Sequence, residues 1–359
     1  MIERTQLKIT TITPVAIGAG IELSPYSDYI IDNNQVCFID KAKLQKIIAS
    51  NNRWLDLYVQ GVAMQMDNNR SNFDIKSFLF NNNIVEELDE IILSRCQFQT
   101  DMPQSKLSIK GIIKTPLLKP YFPGTTIKGA FKTIMMYNWL ITNENAERMI
   151  EDVIAGGNFN ALEKKFECKV DEYTNNLIQP NTIQLVTDSK PLARNSNVVV
   201  DCYRKMPIRL ECIAKNKSTE FEIALENYKW EELAEQAYNY TSAVLEREFA
   251  LVEDDNKLTK YYNYLADLEE MMNETDSNTT YLRLGAGKGY YLNSLGIAIY
   301  DYITQEGKEA LYAKYESFMK NEYAKKGKLD NFSLEEFPRS RLMVKTTQEP
   351  LGWVKIEKM

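Results

Sequence analysis

Not one histidine occurs among the 359 residues. Ser-His-Asp and Cys-His nucleophile systems, histidine acid–base chemistry and every histidine-bearing metal site are thereby excluded. Cysteine is scarce as well. Cys37, Cys96, Cys168, Cys202 and Cys212 form no CxxC pair and are odd in number, so they read as reduced, buried thiols. No apolar run approaches the roughly 18 residues that cross a bilayer. Met1-Ile2-Glu3-Arg4 does not open like a signal peptide, so the expectation is a cytoplasmic chain with no membrane partner. Carboxylates at metal-binding spacing are also few. Only Asp188 and Asp201, on neighbouring predicted strands, offer themselves, and two acids without a supporting third make a poor two-metal site.

What remains is ordinary globular composition, 44% hydrophobic and 26% charged, enough to bury real cores. At about 150 residues per domain the length suggests two domains. Net charge is −7, a sign that repels nucleic acid at the level of the whole molecule. The charge is segregated, however. Residues 102–143 carry six lysines (Lys106, Lys110, Lys114, Lys119, Lys128, Lys132) and no acid. Residues 189–210 carry five cations (Lys190, Arg194, Arg204, Lys205, Arg209) against Asp201 alone. Arg283 and Lys288 in 281–300, and Arg339, Arg341 and Lys345 in 338–348, have no acid between them. The pattern suggests a basic track on an acidic body.

Alternation of Leu7, Ile9 and Thr11 predicts a strand over 5–13, and Tyr29–Ile31 with Val36–Ile39 predict a hairpin around Asp32–Gln35. Asp40 is placed to cap a helix striped by Leu44, Ile47 and Ile48. A helical insertion is expected over about 52–100, and extended chain over 106–114. Three prolines break regular structure up to Gly124, and a helix with Ile127, Phe131, Ile134 and Leu140 follows. Strands are predicted over 183–187, 197–203, 207–213 and 218–225, and a long helix over 230–252. Residues 254–279 read as a solvated acidic excursion. Helices to about 300 and over 308–324 precede strands over 340–346 and 352–357. Pro180 marks the expected division into domains 1–180 and 181–359, both α+β.

Three glycine-bearing segments carry the chemistry. Tyr121-Phe122-Pro123-Gly124-Thr125-Thr126-Ile127-Lys128-Gly129-Ala130-Phe131-Lys132 is a tight turn feeding a helix. Thr125 or Thr126 is placed to cap that helix, and Lys128 and Lys132 share one face of its first turns. Such an N-terminus suits a phosphate, and equally suits an ordinary capped helix with solvated lysines. Leu284-Gly285-Ala286-Gly287-Lys288-Gly289 allows close backbone approach. It is not a P-loop, because Gly289 follows the lysine and Leu282 stands at the first-glycine position. Ile17-Gly18-Ala19-Gly20 fails the dinucleotide fingerprint at Leu23. Near the end, Arg339 and Arg341 fall on one side of an extended segment, a geometry equally suited to phosphate or to salt bridges with the acidic body.

Taken together these segments resemble the RAMP superfamily of CRISPR proteins, and within it the crRNA 3′-end subunits of type III-A Csm effector complexes. Thr13–Gly20 followed by Tyr29–Ile31 looks like the family opening. Pro123–Lys132 resembles its proline-glycine-hydroxyl-lysine signature, Leu284–Gly289 its glycine-rich loop, and Pro338–Trp353, with Val354 and Lys355, its closing pattern. The resemblance implies an α+β fold of two RRM-like (ferredoxin-like) domains with helical insertions. It also implies a non-catalytic, cofactor-free role. The chain would bind crRNA beside repeated RAMP backbone subunits and other Csm-complex subunits, support maturation by admitting or recruiting host nucleases, and serve antiviral defence. Gly18, Gly20, Gly124, Gly285 and Gly287 would allow close approach of the strand. Lys128, Lys132, Lys288, Arg339 and Arg341 would meet phosphates, with Thr125 and Thr126 at the helix start. Lys106–Lys114 would be a hairpin wedged between bases. Two alternatives stand beside this reading: a metal-dependent endoribonuclease using Asp188 and Asp201, and a protein-only scaffold.

Overall fold

Thr5, Leu7, Ile9 and Thr11 turn inward along one face of the first strand, β1 (Ile2–Thr11), while Arg4, Gln6 and Lys8 carry charge and amide to the other. That alternation places β1 in the middle of an antiparallel sheet. β10 (Ser218–Glu226) lies on one side of it and β13 (Trp353–Lys358) on the other. β7 (Ile183–Val186) closes one edge and β11 (Thr279–Arg283) the other. Two long helices, α4 (Gly124–Thr142) and α6 (Trp230–Ala250), pack on this sheet and on each other. Phe131 meets Trp230 edge-on at 5.8 Å between ring centroids, and Tyr137 meets Tyr240 at 5.2 Å. The succession β1–α4–β7–β10–α6–β13, with spatial order β13–β1–β10–β7, is the βαββαβ arrangement of a ferredoxin-like domain, with β11 added outside β13. The computed structural model describes residues 1–68, 73–84, 88–99, 107–156, 182–203, 208–289, 295–324, 332–338 and 341–359.

A second, mixed sheet lies against the first. Its order is β2 (Gly18–Leu23), β6 (Ile109–Ile112), β9 (Ile208–Ile213), β8 (Asn197–Tyr203), β5 (Ile92–Gln99), β4 (Gln35–Ile39) and β3 (Tyr29–Asp32), with β12 (Met343–Val344) also on β8. The β3–β4 hairpin turns on Asn33 and Asn34, both at positive φ, as the favoured two-residue hairpin turn demands. Asp40 caps α1 (Lys41–Ala49) by accepting from the Ala42 and Lys43 N–H groups. With α2 (Asn52–Asn68) and α3 (Ile75–Asn81), this helix covers β3 and β4 over a small core of Ile30, Ile39, Leu44, Ile75 and Phe78. The expected helical insertion is therefore present in its first part. Its last part, 92–99, is strand β5, because Cys96 and Phe98 turn inward at alternate positions.

The α+β class and ferredoxin-like order match the sequence reading, and several boundaries move. Both sheets take strands from each side of residue 180, so the sheets do not follow a division into 1–180 and 181–359. The presumed excursion at 254–279 holds a helix, α7 (Thr259–Asn273), whose Tyr261, Leu265, Leu268 and Met272 are buried. Residues 109–112 are not a projecting hairpin but an interior strand, and Lys114 is bound to buried Glu211. Of the strand expected over 340–346, two residues pair as β12. Cys37, Cys96, Cys202 and Cys212 are buried free thiols, as expected, and burial pushes Cys96 and Cys202 up to about 12. Cys168, Lys106, Arg204, Lys205 and Arg339 lie outside the described residues. No helix among the described residues is long and apolar enough to cross a membrane.

Candidate nucleic-acid interface

β1, β7 and β11 run parallel to one another, each separated from the next by one antiparallel strand. Their C-terminal ends therefore share one end of the sheet. The glycine segment 17–20 follows β1, and the glycine loop 285–289 follows β11. The proline-glycine turn at 123–124 sits against the end of β7, and the closing segment 350–353 leads into β13 at the same end. Main-chain bonds tie three of these together. Ala286 N–H donates to Ala16 O (2.8 Å), Gly352 N–H to Pro14 O (2.9 Å) and Leu284 N–H to Gly352 O (2.7 Å). Trp353 N–H donates to Thr13 Oγ1 at 3.0 Å. Segments 13–20, 284–289 and 350–353, remote in sequence, thus meet at one end of the sheet.

The glycines divide into two kinds. A Cβ on Gly285 would lie 2.2 Å from Ala16 O, and one on Gly124 2.1 Å from Val186 O. These two serve close packing of backbone on backbone. Gly18 and Gly20 are exposed, and no described atom lies within 4 Å of the place a Cβ would occupy. These two leave main chain open to a ligand. At Gly287, φ +96°, a Cβ would lie 3.3 Å from Arg283 Nη2.

Arg283 is 5% exposed, donates from Nε to Leu351 O at 2.8 Å, and stands 5.7 Å from the Trp353 ring centroid. Its Nη2 is buried without a partner. Beside it, burial and then repulsion by Arg283 pull the Lys288 ammonium below its ordinary pKa. Among the described residues neither of these neighbouring cations is paired with a carboxylate, a charge arrangement that favours an anion beside them. Lys128 is exposed on the first turns of α4, with no acidic partner among the described residues. Lys132 lies one turn further on and is half-buried.

Two expected roles change. Neither Thr125 nor Thr126 caps α4: the N-cap is Pro123, and the Gly124 N–H donates at 2.8 Å to Asp188 Oδ1, from the segment after β7. Proline at the cap has no side-chain acceptor, so the chain supplies a carboxylate from elsewhere. Asp188→Ala is expected to cost about 1 kcal/mol, the usual worth of an N-cap, measurable by urea denaturation. Arg341 is not a surface phosphate ligand. Its side chain is 7% exposed and its Nε donates to Glu248 Oε2 at 2.8 Å. The two acids of the metal alternative are separately engaged, Asp188 with α4 and Asp201 with Arg209. No group of three or more metal-ligating acids or thiols occurs among the described residues.

Sheet order and glycine loops define an RRM-like, ferredoxin-type protein with a cationic loop surface at the end of its central strand. The profile of the RAMP superfamily matches residues 8–291, and the chain belongs to that superfamily. Comparison with curated proteins gave no match. Among solved structures the chain is similar to one in the cryo-EM structure of a Csm–crRNA–target RNA ternary complex of a type III-A CRISPR–Cas system. The TM-score is 0.68 and the identity 21%, covering 98% of this chain and 100% of that one. It is also similar to the crystal structure of T. onnurineus Csm5, with TM-score 0.63 and 17% identity over 97% and 99% of the two chains. At these identities the likeness bears on fold.

Proposed function

We propose that this chain is a non-catalytic crRNA-binding subunit that caps the crRNA 3′ end of a type III-A CRISPR interference complex. In that role it supports crRNA maturation, assembly and antiviral defence in the cytoplasm. Its partners would be crRNA, the repeated RAMP backbone subunit, other Csm-complex subunits, and host maturation nucleases. Superfamily membership and full-length likeness to a chain of a Csm–crRNA complex support the reading. The observation that carries it is the Arg283–Lys288 pair, which no carboxylate among the described residues compensates, beside the shared loop surface. A strand of phosphates would supply the missing negative charge, and open main chain at Gly18 and Gly20 would let it approach.

The desolvated ammonium makes this testable. With its folded pKa below the unfolded one, Lys288 leaves the unfolded chain binding more protons between that lowered value and about 10.5. Stability of the isolated chain should therefore rise with pH through that alkaline window. Lys288→Met is expected to remove the slope and stabilise the isolated chain at neutral pH while weakening RNA retention. In assembled complexes carrying Lys128→Glu and Lys288→Glu, the salt slope of RNA binding should fall by about 0.7 per lysine, with the crRNA 3′ end less protected. Unchanged RNA content and salt slope would favour the protein-only scaffold. Cleavage of repeat RNA by the pure chain in Mg²⁺ or Mn²⁺, lost in Asp188→Asn, would favour the ribonuclease.

A further inference from the structure

A cavity of about 180 Å³ opens between α7, the end of β1, the β9–β10 turn and the segment 349–353. It falls well below the roughly 300–1,000 Å³ of sites that enclose a whole small-molecule ligand, and suits a single side chain. Tyr264, Leu268 and Met271 recur at i, i+4 and i+7 along α7 and form one apolar wall, with Pro350 and Trp353 forming another. Its charge is unbalanced. Two carboxylates line it, Glu349 and Asp267, against one ammonium, Lys215. Glu349 is 4% exposed, and among the described residues its carboxylate meets Lys215 Nζ alone, at 3.5 Å. Burial raises the Glu349 pKa, and Lys215 offsets that only in part. Asp267 is exposed at the rim, with no cationic partner among the described residues.

A buried carboxylate is best held by two short donors, and one ammonium at 3.5 Å supplies neither the number nor the distance. The two partners also differ in how firmly they are fixed. Glu349 O accepts from Val344 N–H at 2.9 Å, and its own N–H donates to Thr347 Oγ1 at 3.2 Å. Lys215 stands on a turn with its side chain 53% exposed, and a pair so open to water is weak. Its ammonium can swing out and leave the carboxylate to a stronger partner. A guanidinium offers two parallel N–H donors at about 2.7–2.9 Å, sheds water more readily than an ammonium and packs against aromatic rings. Phosphate has the wrong sign for a cleft with two carboxylates.

We propose that this cavity receives an arginine side chain from a basic segment of a protein partner, whose guanidinium replaces Lys215 at Glu349. Its stem would lie against Tyr264, Met271 and Pro350, and Asp267 would draw it to the mouth. Charge complementarity selects this occupant. The inference does not rest on the RNA-binding reading, because the cavity's carboxylates repel a phosphate strand.

The test is calorimetric titration of the full-length chain with the tripeptide acetyl-Gly-Arg-Gly-amide and with its lysine and citrulline counterparts. The arginine peptide should bind about 10-fold more tightly than the citrulline peptide, which keeps the shape and loses the charge. It should also bind more tightly than the lysine peptide, which lacks the fork. Glu349→Gln, close in size, should weaken the arginine peptide about 10-fold. Lys215→Met should tighten it about 5-fold, the effect of removing one like charge about 4 Å away beside water. That opposite sign separates displacement of Lys215 from damage to the fold, since a misfolded variant would bind less. A single-stranded RNA oligomer should leave the peptide in place. Displacement by RNA would overturn this inference and leave the RNA reading intact. Equal binding of the lysine and arginine peptides, no saturable binding of any peptide, or binding indifferent to both Glu349→Gln and Lys215→Met would overturn it as well.

Discussion

Gly285→Ala is expected to destabilise the chain by about 3 kcal/mol or more, the range of overpacking combined with backbone strain. Gly20→Ala should cost only about 1 kcal/mol. Both glycines sit at positive φ, +71° and +73°, so both substitutions carry the left-handed penalty. They differ in what the new methyl would meet. At Gly285 it falls 2.2 Å from Ala16 O, a main-chain atom, while at Gly20 no described atom lies within 4 Å. Ala16 O is also the acceptor for Ala286 N–H. Relief of the clash would therefore break the bond that joins the first and second glycine segments. Urea denaturation of the isolated chain decides the matter, and equal midpoints for the two variants would contradict this account. The same pair separates structure from binding. Gly20→Ala should fold and yet retain less RNA, because there the open side of the glycine faces solvent.

That contrast marks how far the sequence could be read. Pro123–Lys132, Leu284–Gly289 and the Pro350–Trp353 ending are visible as motifs, and main-chain bonds join the latter two to each other and to the segment that follows β1. Strands 197–203 and 208–213 were legible from β-branched and alternating residues. What misled was local composition standing in for tertiary context. Tyr261, Leu265, Leu268 and Met272 form a helical stripe, but the intervening Asp and Glu made the segment look solvated. The cap of α4 was sought in the neighbouring threonines, whereas Asp188 arrives from 64 residues away. Arg341 suits phosphate and a salt bridge equally in the sequence, because the partner that decides it, Glu248, is 93 residues distant. Propensity and spacing reveal elements, whereas burial partners are set by the fold that assembles them.

Asp201→Ala is expected to cost about 3–5 kcal/mol, because it strands a buried guanidinium. Asp201 is 2% exposed and Arg209 1%, with Nε donating to Oδ1 at 2.8 Å and Nη2 to Oδ2 at 3.4 Å. The guanidinium also lies 4.5 Å from the centre of the Phe98 ring. Facing each other across the β8–β9 pairing, these residues bind the strands that carry Asn197 and Glu211. Replacing both members with apolar side chains of similar size, Asp201→Leu with Arg209→Met, should recover most of the loss. Two charges then need no longer be held out of water. Denaturation midpoints of the two singles and the double form the required cycle. A double variant no more stable than Asp201→Ala would show that other partners of Arg209 set the cost. This cycle also weighs on the ribonuclease alternative. A carboxylate whose loss is repaired by leucine and methionine is structural, since an apolar pair cannot hold a divalent ion. Restored folding with undiminished RNA retention would place Asp201 in the support of the second sheet and not in RNA contact.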